Sequence, residues 1–219
     1  MGTKSEEDQI KAIYYLSERE DGAPISTNAL AEQLQIKAAS VSDMLKKLSQ
    51  KGWVNYVKYN GSTLTEEGNK LALSIIRKHR LWETFLVKSL HFNWAEVHDI
   101  AEQLEHIKSE QLIDKLADFL GNPKYDPHGD PIPTKDGVIN DSRKSILLAE
   151  LKVNDAGTIV GVNDSSSALL KYLANEELIL GTHLKVIEVF DFDNSFKIES
   201  NGRVINLSEQ ITNNIFIQK

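Results

Sequence analysis

The chain has 219 residues, 41% of them hydrophobic, a formal net charge of −7 and no cysteine. This length suits one large domain or two small ones. The lack of cysteine excludes disulfides, thiolate nucleophiles and thiolate metal sites, so any metal would take nitrogen and oxygen ligands. No apolar run reaches the roughly 18 residues of a membrane span, and no signal peptide opens the chain. We therefore expect a soluble, cytoplasmic protein without a membrane partner.

The charge is unevenly distributed along the chain. Residues 37–80 contain nine lysines and arginines against three acidic residues, a local balance of +6, so the remainder carries −13. A basic stretch in an acidic chain is typical of a surface that meets nucleic acid, although a lysine-rich helical surface would give the same count.

The N-terminal third predicts a winged helix-turn-helix. A helix over residues 4–20 has acidic residues in its first turn, which suit the helix dipole. Two short helices follow, over 26–35 and 39–51, and small polar residues at the start of the second would let it enter a major groove. The β-prone run after Gly52 is followed by Asn60-Gly61, and this combination predicts the hairpin of a wing.

The predicted DNA contacts lie on the two short helices and on the wing. Lysines can reach phosphates, and short side chains permit a close approach to the edges of the bases. The candidates are Thr27, Lys37, Ala39, Ser40, Ser42, Asp43, Lys47, Lys58 and Asn60.

Two rows of imidazole and carboxylate side chains lie in the middle of the chain. They fall on predicted helices over residues 66–90 and 94–107, mostly at intervals of four, so that each row occupies one helix face. Such a row is usually a solvated helix surface, but two consecutive rows supply the ligands of a divalent cation. The candidate ligands are His79, Glu83, His98, Glu102, Glu105 and His106.

The remainder of the chain predicts one more helix and a β module. The helix over 110–120 has an apolar stripe that is either core or a dimer face. Residues 122–142 contain four prolines and two glycines, which is typical of an extended linker at a domain boundary. Five short β-prone runs after the linker predict a small barrel.

We thus expect a mainly α protein with a β module, in three domains. These are a winged helix-turn-helix DNA-binding domain, a helical metal-binding and dimerisation domain with its linker, and a small SH3-like β-barrel. Their expected bounds are 1–73, 74–142 and 143–219.

The motifs together resemble the metal-dependent repressors related to the diphtheria toxin repressor and the manganese transport regulators. The resemblance covers essentially the whole chain and is carried by the winged helix, RKHRLxE at 77–83, VHDxAExLEH at 97–106, DPHGDPIP at 126–133 and the C-terminal module. It implies a DNA-binding repressor of metal-uptake genes that acts as a homodimer on a palindromic operator. No organic cofactor is expected.

The resemblance also implies how the ligands divide between two sites. A primary site would use Asp8, Glu102, Glu105 and His106, and an ancillary site would use His79, Glu83 and His98. Acids at the places of Asp8 and Glu102 are typical of manganese-sensing members, so the resemblance implies that the metal is Mn²⁺. We expect one to two ions per chain. Fe²⁺ binds such donors more tightly at equal concentration and is not excluded. From its position alone, Asp8 would be a surface acid near the helix start.

One position departs from the family pattern. Short manganese regulators carry a second acid one turn after the equivalent of Asp8, where this chain has Lys11. A cluster of two manganese ions of that type is therefore not expected. In some members the C-terminal module also donates a ligand, and the region near Asp164–Ser166 is where we would expect it.

Two other interpretations of the same residues are open. A carboxylate and histidine site could belong to a di-metal oxidase or hydrolase, but the chain lacks the paired Glu-x-x-His motifs of such bundles and no nucleophile stands out. A winged-helix regulator that senses an organic ligand would leave the histidines and glutamates as ordinary surface. We expect a regulator and not an enzyme.

Overall fold

The computed structural model describes residues 2–20, 22–163 and 166–219. The chain divides into two compact units. The first unit comprises Met1–His79, Gln103–Asp114 and Pro133–Ile139. The second unit comprises Arg80–Glu102, Lys115–Ile132 and Asn140–Lys219.

The first unit contains the winged helix-turn-helix that the sequence predicts. Its elements are α1 (Lys4–Arg19), α2 (Thr27–Gln33), α3 (Ala38–Gln50), β1 (Val54–Val57) and β2 (Gly61–Leu64). The side chain of Ser26 accepts a hydrogen bond from the backbone N–H of Ala29 and so caps α2. The predicted order of helices and hairpin is confirmed.

A continuous apolar core holds these helices together. It includes Ile10 and Ile13 of α1, Leu30 of α2, and Leu45 and Leu48 of α3, all of which are fully buried. Burial of such a side chain contributes roughly 1.5–3 kcal/mol. The position of α1 is therefore fixed relative to α3, which matters for the site described below.

The wing turns differently from the two-residue Asn-Gly turn that the sequence suggests. Val57 pairs with Gly61, which leaves a three-residue loop, and φ is positive at Tyr59 and Gly61. A Cβ at Gly61 would lie 2.8 Å from the carbonyl oxygen of Ile25, so space as well as φ requires glycine there. The loop exposes Lys58, Tyr59 and Asn60.

Three more helices follow, α4 (Glu66–Leu90), α5 (His98–Leu104) and α6 (Glu110–Phe119). The expected helix over 94–107 is too long at both ends. The carbonyl of Asn93 accepts from Glu96 and its side chain accepts from Ala95, which closes a turn. Trp94 and Ala95 are buried in the core of the β module, so this segment does not join the helix.

The second unit contains the predicted SH3-like β module as a six-stranded antiparallel sheet, in the order β3-β8-β4-β5-β6-β7. Its strands are β3 (Ile146–Leu147), β4 (Ala156–Val162), β5 (His183–Phe190), β6 (Ser195–Ser200), β7 (Arg203–Leu207) and β8 (Ile215–Gln218). The helices α7 (Ser167–Asn175) and α8 (Glu209–Thr212) interrupt them. The short strand β3 was not predicted, because two residues are too few for a periodic pattern.

The second-unit part of the linker is anchored to β4. At Gly129, φ is +90° and an added Cβ would lie 2.2 Å from the carbonyl oxygen of Val160, so only glycine allows this approach. The guanidinium of Arg143 donates to the carbonyls of Val160 and Gly129 and stacks on the ring of Tyr125.

Within the described ranges, none of the helices is long and apolar enough to cross a membrane.

Candidate metal centre and DNA-binding surface

Three of the predicted ligands converge in the first unit. Asp8 lies on α1, whereas Glu105 and His106 directly follow α5, and the three offer ligand atoms within 4.8 Å of one another. Nε2 of His106 is 3.0 Å from Oδ1 of Asp8 and 3.8 Å from Oε1 of Glu105. The apolar face of α1 is fixed in the winged-helix core, so Asp8 is held at this position.

This atom set fits a divalent cation. Two carboxylates and an imidazole are donors that divalent ions such as Mn²⁺ and Fe²⁺ accept. Among the residues that the structure describes, Nε2 of His106 is one of the few buried polar atoms without a hydrogen bond. Buried nitrogens normally have a partner, and a bound cation would give this one a partner.

Glu7 is a buried residue of this centre that sequence reasoning missed. Its Oε2 lies 2.7 Å from Nδ1 of His106. Metal-binding histidines usually donate their second ring N–H to such a carboxylate, which orients the ring and leaves the other nitrogen for the metal. Acids at the start of α1 suit the helix dipole, and that ordinary explanation hid the contact.

Glu6, beside it, connects α1 to the end of α3. Its Oε1 lies 2.6 Å from Nζ of Lys51, the residue that follows α3. Burial alone would raise the pKa of Glu6, but hydrogen bonds from Lys51 and from the Thr3 backbone hold it below its usual value. The first turn of α1 therefore contacts both the metal-ligand cluster and the second helix of the helix-turn-helix.

Glu105 is fully buried and also contacts two cationic or polar side chains of the first unit. Nζ of Lys11 lies 2.6 Å and 2.8 Å from its two carboxylate oxygens. Nδ1 of His79 lies 2.6 Å from Oε2 of the same carboxylate. His79, which we predicted as an ancillary ligand, thus lies against a predicted primary ligand.

The other predicted ligands belong to the second unit. Glu83, one turn after His79 on α4, has Oε1 at 3.4 Å from Nδ1 of His98. Nε2 of His98 is 3.7 Å from Oε1 of Glu102, its neighbour one turn along α5. The residues predicted for the ancillary site therefore lie on α4 and at the first residue of α5.

A further buried cluster in the second unit was not predicted. Glu83, Asp126 and His128 have ligand atoms within 4.8 Å of one another. Nδ1 of His128 lies 3.4 Å from Oε2 of Glu83, and its Nε2 lies 2.8 Å from the carbonyl oxygen of Trp94. Asp126 and His128 stand two apart in a loop of prolines and glycine, so helical spacing could not have indicated them.

The charges around this cluster shift two pKa values. Burial, with the nearby charges of Asp130 and Glu83, raises the pKa of Asp126 to about 7. Burial would lower the pKa of His128, but its contact with Glu83 prevails and raises it to about 9. Arg80 lies 3.6 Å from Asp126 and 3.5 Å from Asp130, which compensates part of the acidic charge.

The ligand expected from the C-terminal module falls on Asp164 and Ser165, which lie outside the described residues. The third residue of that region, Ser166, precedes α7, and its hydroxyl accepts from the backbone N–H of Leu169.

All nine predicted DNA contacts are exposed or half-buried on α2, α3 and the wing. Lys37 is the N-cap of α3, and Ala39 and Ser40 form its exposed first turn. Asp43 pairs with Lys46 at 3.0 Å, so its carboxylate is partly neutralised. The surface can therefore present lysines to phosphates and short side chains to a groove.

A winged helix-turn-helix followed by a helical carboxylate and histidine centre defines a metal-responsive DNA-binding regulator. The family model of the iron-dependent repressor N-terminal DNA-binding domain matches residues 1–62. The model of the iron-dependent repressor metal-binding and dimerisation domain matches residues 65–134. The FeoA domain model matches residues 146–219. The chain belongs to the iron-dependent repressor family. It is a metal-dependent, DNA-binding, dimeric transcriptional repressor and not an enzyme.

Known proteins agree with this assignment. The HTH-type transcriptional regulator MntR of Oceanobacillus iheyensis is 33% identical over 155 residues, which span 71% of this chain and 97% of that protein. The iron-dependent repressor IdeR of Mycobacterium tuberculosis is 35% identical over 124 residues, 57% of this chain and about half (53%) of IdeR. A solved manganese-dependent transcriptional repressor in complex with manganese has a TM-score of 0.84 at 32% identity, covering 98% of this chain and 99% of that one.

Proposed function

We propose that this repressor responds to Mn²⁺, with one to two ions per chain, and controls metal-uptake genes from the cytoplasm. The primary centre comprises Asp8, Glu102, Glu105 and His106, with Glu102 assigned by its place in the ligand motif. The observation that carries the proposal is the approach of Asp8 on α1 to His106 at 3.0 Å. The donors are oxygens and nitrogens throughout, which suits Mn²⁺.

The first helix is the element that would transmit metal binding to DNA. Its first turn supplies Asp8 and the contact from Glu7 to His106, and Glu6 pairs with Lys51 at the end of α3. One turn further, Ile10 and Ile13 pack in the same core as Leu45 and Leu48 of α3. Any restriction on the motion of α1 is therefore a restriction on α3.

Because of the acidic side chains, this restriction on α1 depends on a bound cation. Glu7, Asp8 and Glu105 lie together in a largely buried region, where like charges repel strongly. The Lys11 ammonium offsets one of these three charges, and a bound cation supplies the further positive charge that lets the carboxylates stay close. Without it, their repulsion favours loosening of α1, so the DNA-binding arrangement becomes one of several that the apo-protein samples.

In a dimer, two α3 helices held in this way would meet the half-sites of a palindromic operator. Metal and DNA would then increase each other's affinity by the same factor. A coupling of about 1–3 kcal/mol, or roughly 5–150-fold, is typical of such a linkage.

The second ion would be held around Glu83. His79 and His98 are the ligands that the sequence indicates for this ancillary site, and Glu83 lies 3.4 Å from His98. Asp126 and His128 are further donors beside the same carboxylate. Separate His98→Ala and His128→Ala variants would show, by the number of Mn²⁺ ions retained, which histidine holds the ion.

A direct test is DNA binding by metal-free protein titrated separately with Mn²⁺, Fe²⁺, Zn²⁺ and Co²⁺. The probe would be a duplex selected from random-sequence DNA by the protein, in separate selections with each ion and with a chelator. We expect tight binding only with metal, and Mn²⁺ effective at micromolar concentration. Equal binding in the chelator would contradict metal control and favour a regulator that senses an organic ligand.

Asp8→Ala tests the primary centre itself. We expect a folded protein whose DNA affinity no longer rises with Mn²⁺. Glu18→Ala is the matched control, because Glu18 is an exposed acid on the same helix. A normal Mn²⁺ response in Asp8→Ala would remove Asp8 from the site.

A further inference from the structure

Asp126 and His128 lie in a closed loop over residues 125–131. Tyr125 and Pro131, at the two ends of this loop, form an antiparallel bridge. Oδ1 of Asp126 accepts a hydrogen bond from the backbone N–H of His128 at 2.8 Å. These internal contacts fix the shape of the loop, so its placement depends on what attaches it to the rest of the second unit.

Arg143 attaches this loop to the sheet of the C-terminal module. Its Nη1 donates to the carbonyl of Val160 on β4 at 2.6 Å, and its Nη2 donates to the carbonyl of Gly129 in the loop. The guanidinium also lies over the ring of Tyr125, 3.5 Å from the ring centroid. These three contacts need a planar group with several N–H donors, which arginine has and lysine lacks.

The same attachment sets the position of the His128 ring. The backbone carbonyl of His128 accepts from the N–H of Val162 on β4 at 3.0 Å, a single hydrogen bond whose net contribution is modest. Its ring lies between Oε2 of Glu83, 3.4 Å from Nδ1, and the carbonyl oxygen of Trp94, 2.8 Å from Nε2. A shift of the loop along β4 would therefore move this ring away from Glu83.

Asp141 holds the guanidinium in place and offsets its charge. The backbone N–H of Arg143 donates to Oδ1 of Asp141 at 3.0 Å, and Nε lies 3.3 Å from the same oxygen. Burial would raise the pKa of Asp141, but the hydrogen bonds from Arg143 hold it below its usual value, so this carboxylate is ionised at neutral pH. Arg143 therefore acts on the loop by position, and its charge is largely balanced where it stands.

We propose that Arg143 is a positioning residue for the metal site around Glu83. It clamps loop 125–131 to β4 and so keeps His128 within reach of the ion that Glu83 binds. Through this clamp the C-terminal module acts on metal binding. The inference rests on the proposed function, because it assumes a second ion held by Glu83 and His128.

The main test variant is Arg143→Met, which removes the donors and the planar group but keeps a long side chain. We expect it to bind the second Mn²⁺ roughly 10–100-fold more weakly, a loss typical when a group that orients a metal ligand is removed. The primary ion should bind as in the wild type. Lys144→Met, at the exposed neighbouring residue, is the matched control. Calorimetric titration of metal-free, full-length protein with Mn²⁺ measures both affinities.

Nuclear magnetic resonance of the metal-free protein with ¹⁵N-labelled histidine gives a readout that needs no metal. The Nε2–H of His128, which donates to the carbonyl of Trp94, should give a signal that is absent in His128→Gln. We expect this signal to shift or broaden in Arg143→Met and to stay unchanged in Lys144→Met.

His128→Ala separates the inference from the proposed function. If it leaves the second ion bound with wild-type affinity, His128 is not a ligand and the inference fails with that site. A wild-type protein that binds only the ion lost in Asp8→Ala has no second site, which overturns the inference as well. If His128→Ala weakens the second ion but a folded Arg143→Met does not, only the role of Arg143 is wrong.

An equal loss of affinity for both ions in Arg143→Met would assign Arg143 to general stability and overturn the inference. Should Arg143→Met fail to fold, Arg143→Lys decides by the same measurements. It keeps the charge but cannot span the two carbonyls and the ring, so we expect the second ion to bind more weakly here too. Wild-type affinity for the second ion in Arg143→Lys would show that the clamp is not needed.

Discussion

Oε2 of Glu7 lies 2.7 Å from Nδ1 of His106, which is 99 residues away in the sequence. This contact joins the first helix to the last residue of the ligand motif without using a metal ligand atom. It fixes the ring so that Nε2 faces Asp8, at 3.0 Å from Oδ1. In the proposed metal centre, Glu7 would thus be a positioning residue, in the way that carboxylates commonly orient metal-binding histidines.

Glu7→Gln should weaken Mn²⁺ binding by roughly 10–100-fold, because an amide can present its donor to Nδ1 and favour the wrong tautomer. Calorimetric titration of the metal-free protein measures this directly. Glu18→Gln, an exposed change on the same helix, serves as the control. Unchanged Mn²⁺ affinity in Glu7→Gln would show that the contact does not orient a ligand.

The candidate ligands on α4 and α5 could be identified from the sequence because each lies at helical spacing from another. His79 with Glu83, and His98 with Glu102, follow from the 3.6-residue period and need no tertiary information. The winged helix was predictable for a similar reason, because the apolar spacing of its helices and the residues of its turns are visible within short stretches of sequence. Such signals carry no information about partners that are distant in sequence.

Contacts between distant segments could not be predicted in this way. Lys11 meets Glu105 across 94 residues, and nothing in the spacing of either segment indicates that pairing. His128 reaches Glu83 from an irregular loop, where no period constrains which residues face inward. The resemblance to a family supplied Asp8, which its own position would have left as a surface acid.

The pair of Glu6 and Lys51 provides a test of how α1 acts on α3. Glu6→Gln should lower DNA affinity at saturating Mn²⁺, because the 2.6 Å contact that holds the end of α3 is weakened. Its effect on the free energy of unfolding should be small, about 0.5–1 kcal/mol, because the side chain of Lys51 is 41% exposed and screened by water. Fluorescence anisotropy of labelled duplex and urea unfolding measure the two quantities.

Lys51→Met is the companion variant, and the double variant closes the cycle. If the ion pair transmits the signal, the losses in DNA affinity of the two single variants should not add. Additive losses would mean that Lys51 contacts DNA by itself and that Glu6 acts elsewhere.

Lys47 is exposed on α3, where it can reach a phosphate. Lys47→Ala should weaken binding to every duplex by a similar factor and reduce the slope of log affinity against log salt by about 1. Lys171→Ala, an exposed lysine on α7, should leave both unchanged. A loss confined to one DNA sequence would assign Lys47 to base recognition.

The buried His128 predicts how the metal-free protein depends on pH. Its pKa is about 9 in the folded chain against an ordinary 6.5, so the folded state binds this proton more tightly than the unfolded state. The resulting stabilisation is complete below pH 6.5 and is lost as the pH rises through 9. Asp126 also stabilises the folded state less as the pH rises, but at lower pH, because its pKa is raised from 3.8 to about 7.

Urea unfolding in chelator at pH 6, 7.5 and 9 should therefore show a falling free energy of unfolding, with up to about 3 kcal/mol attributable to His128. His128→Gln should flatten the fall between pH 6.5 and 9, whereas His183→Gln, at an exposed histidine on β5, should not. Divalent ions bind deprotonated donors, so stabilisation by added Mn²⁺ should grow over the same pH range. An unchanged pH profile in His128→Gln would show that its proton is not held by Glu83.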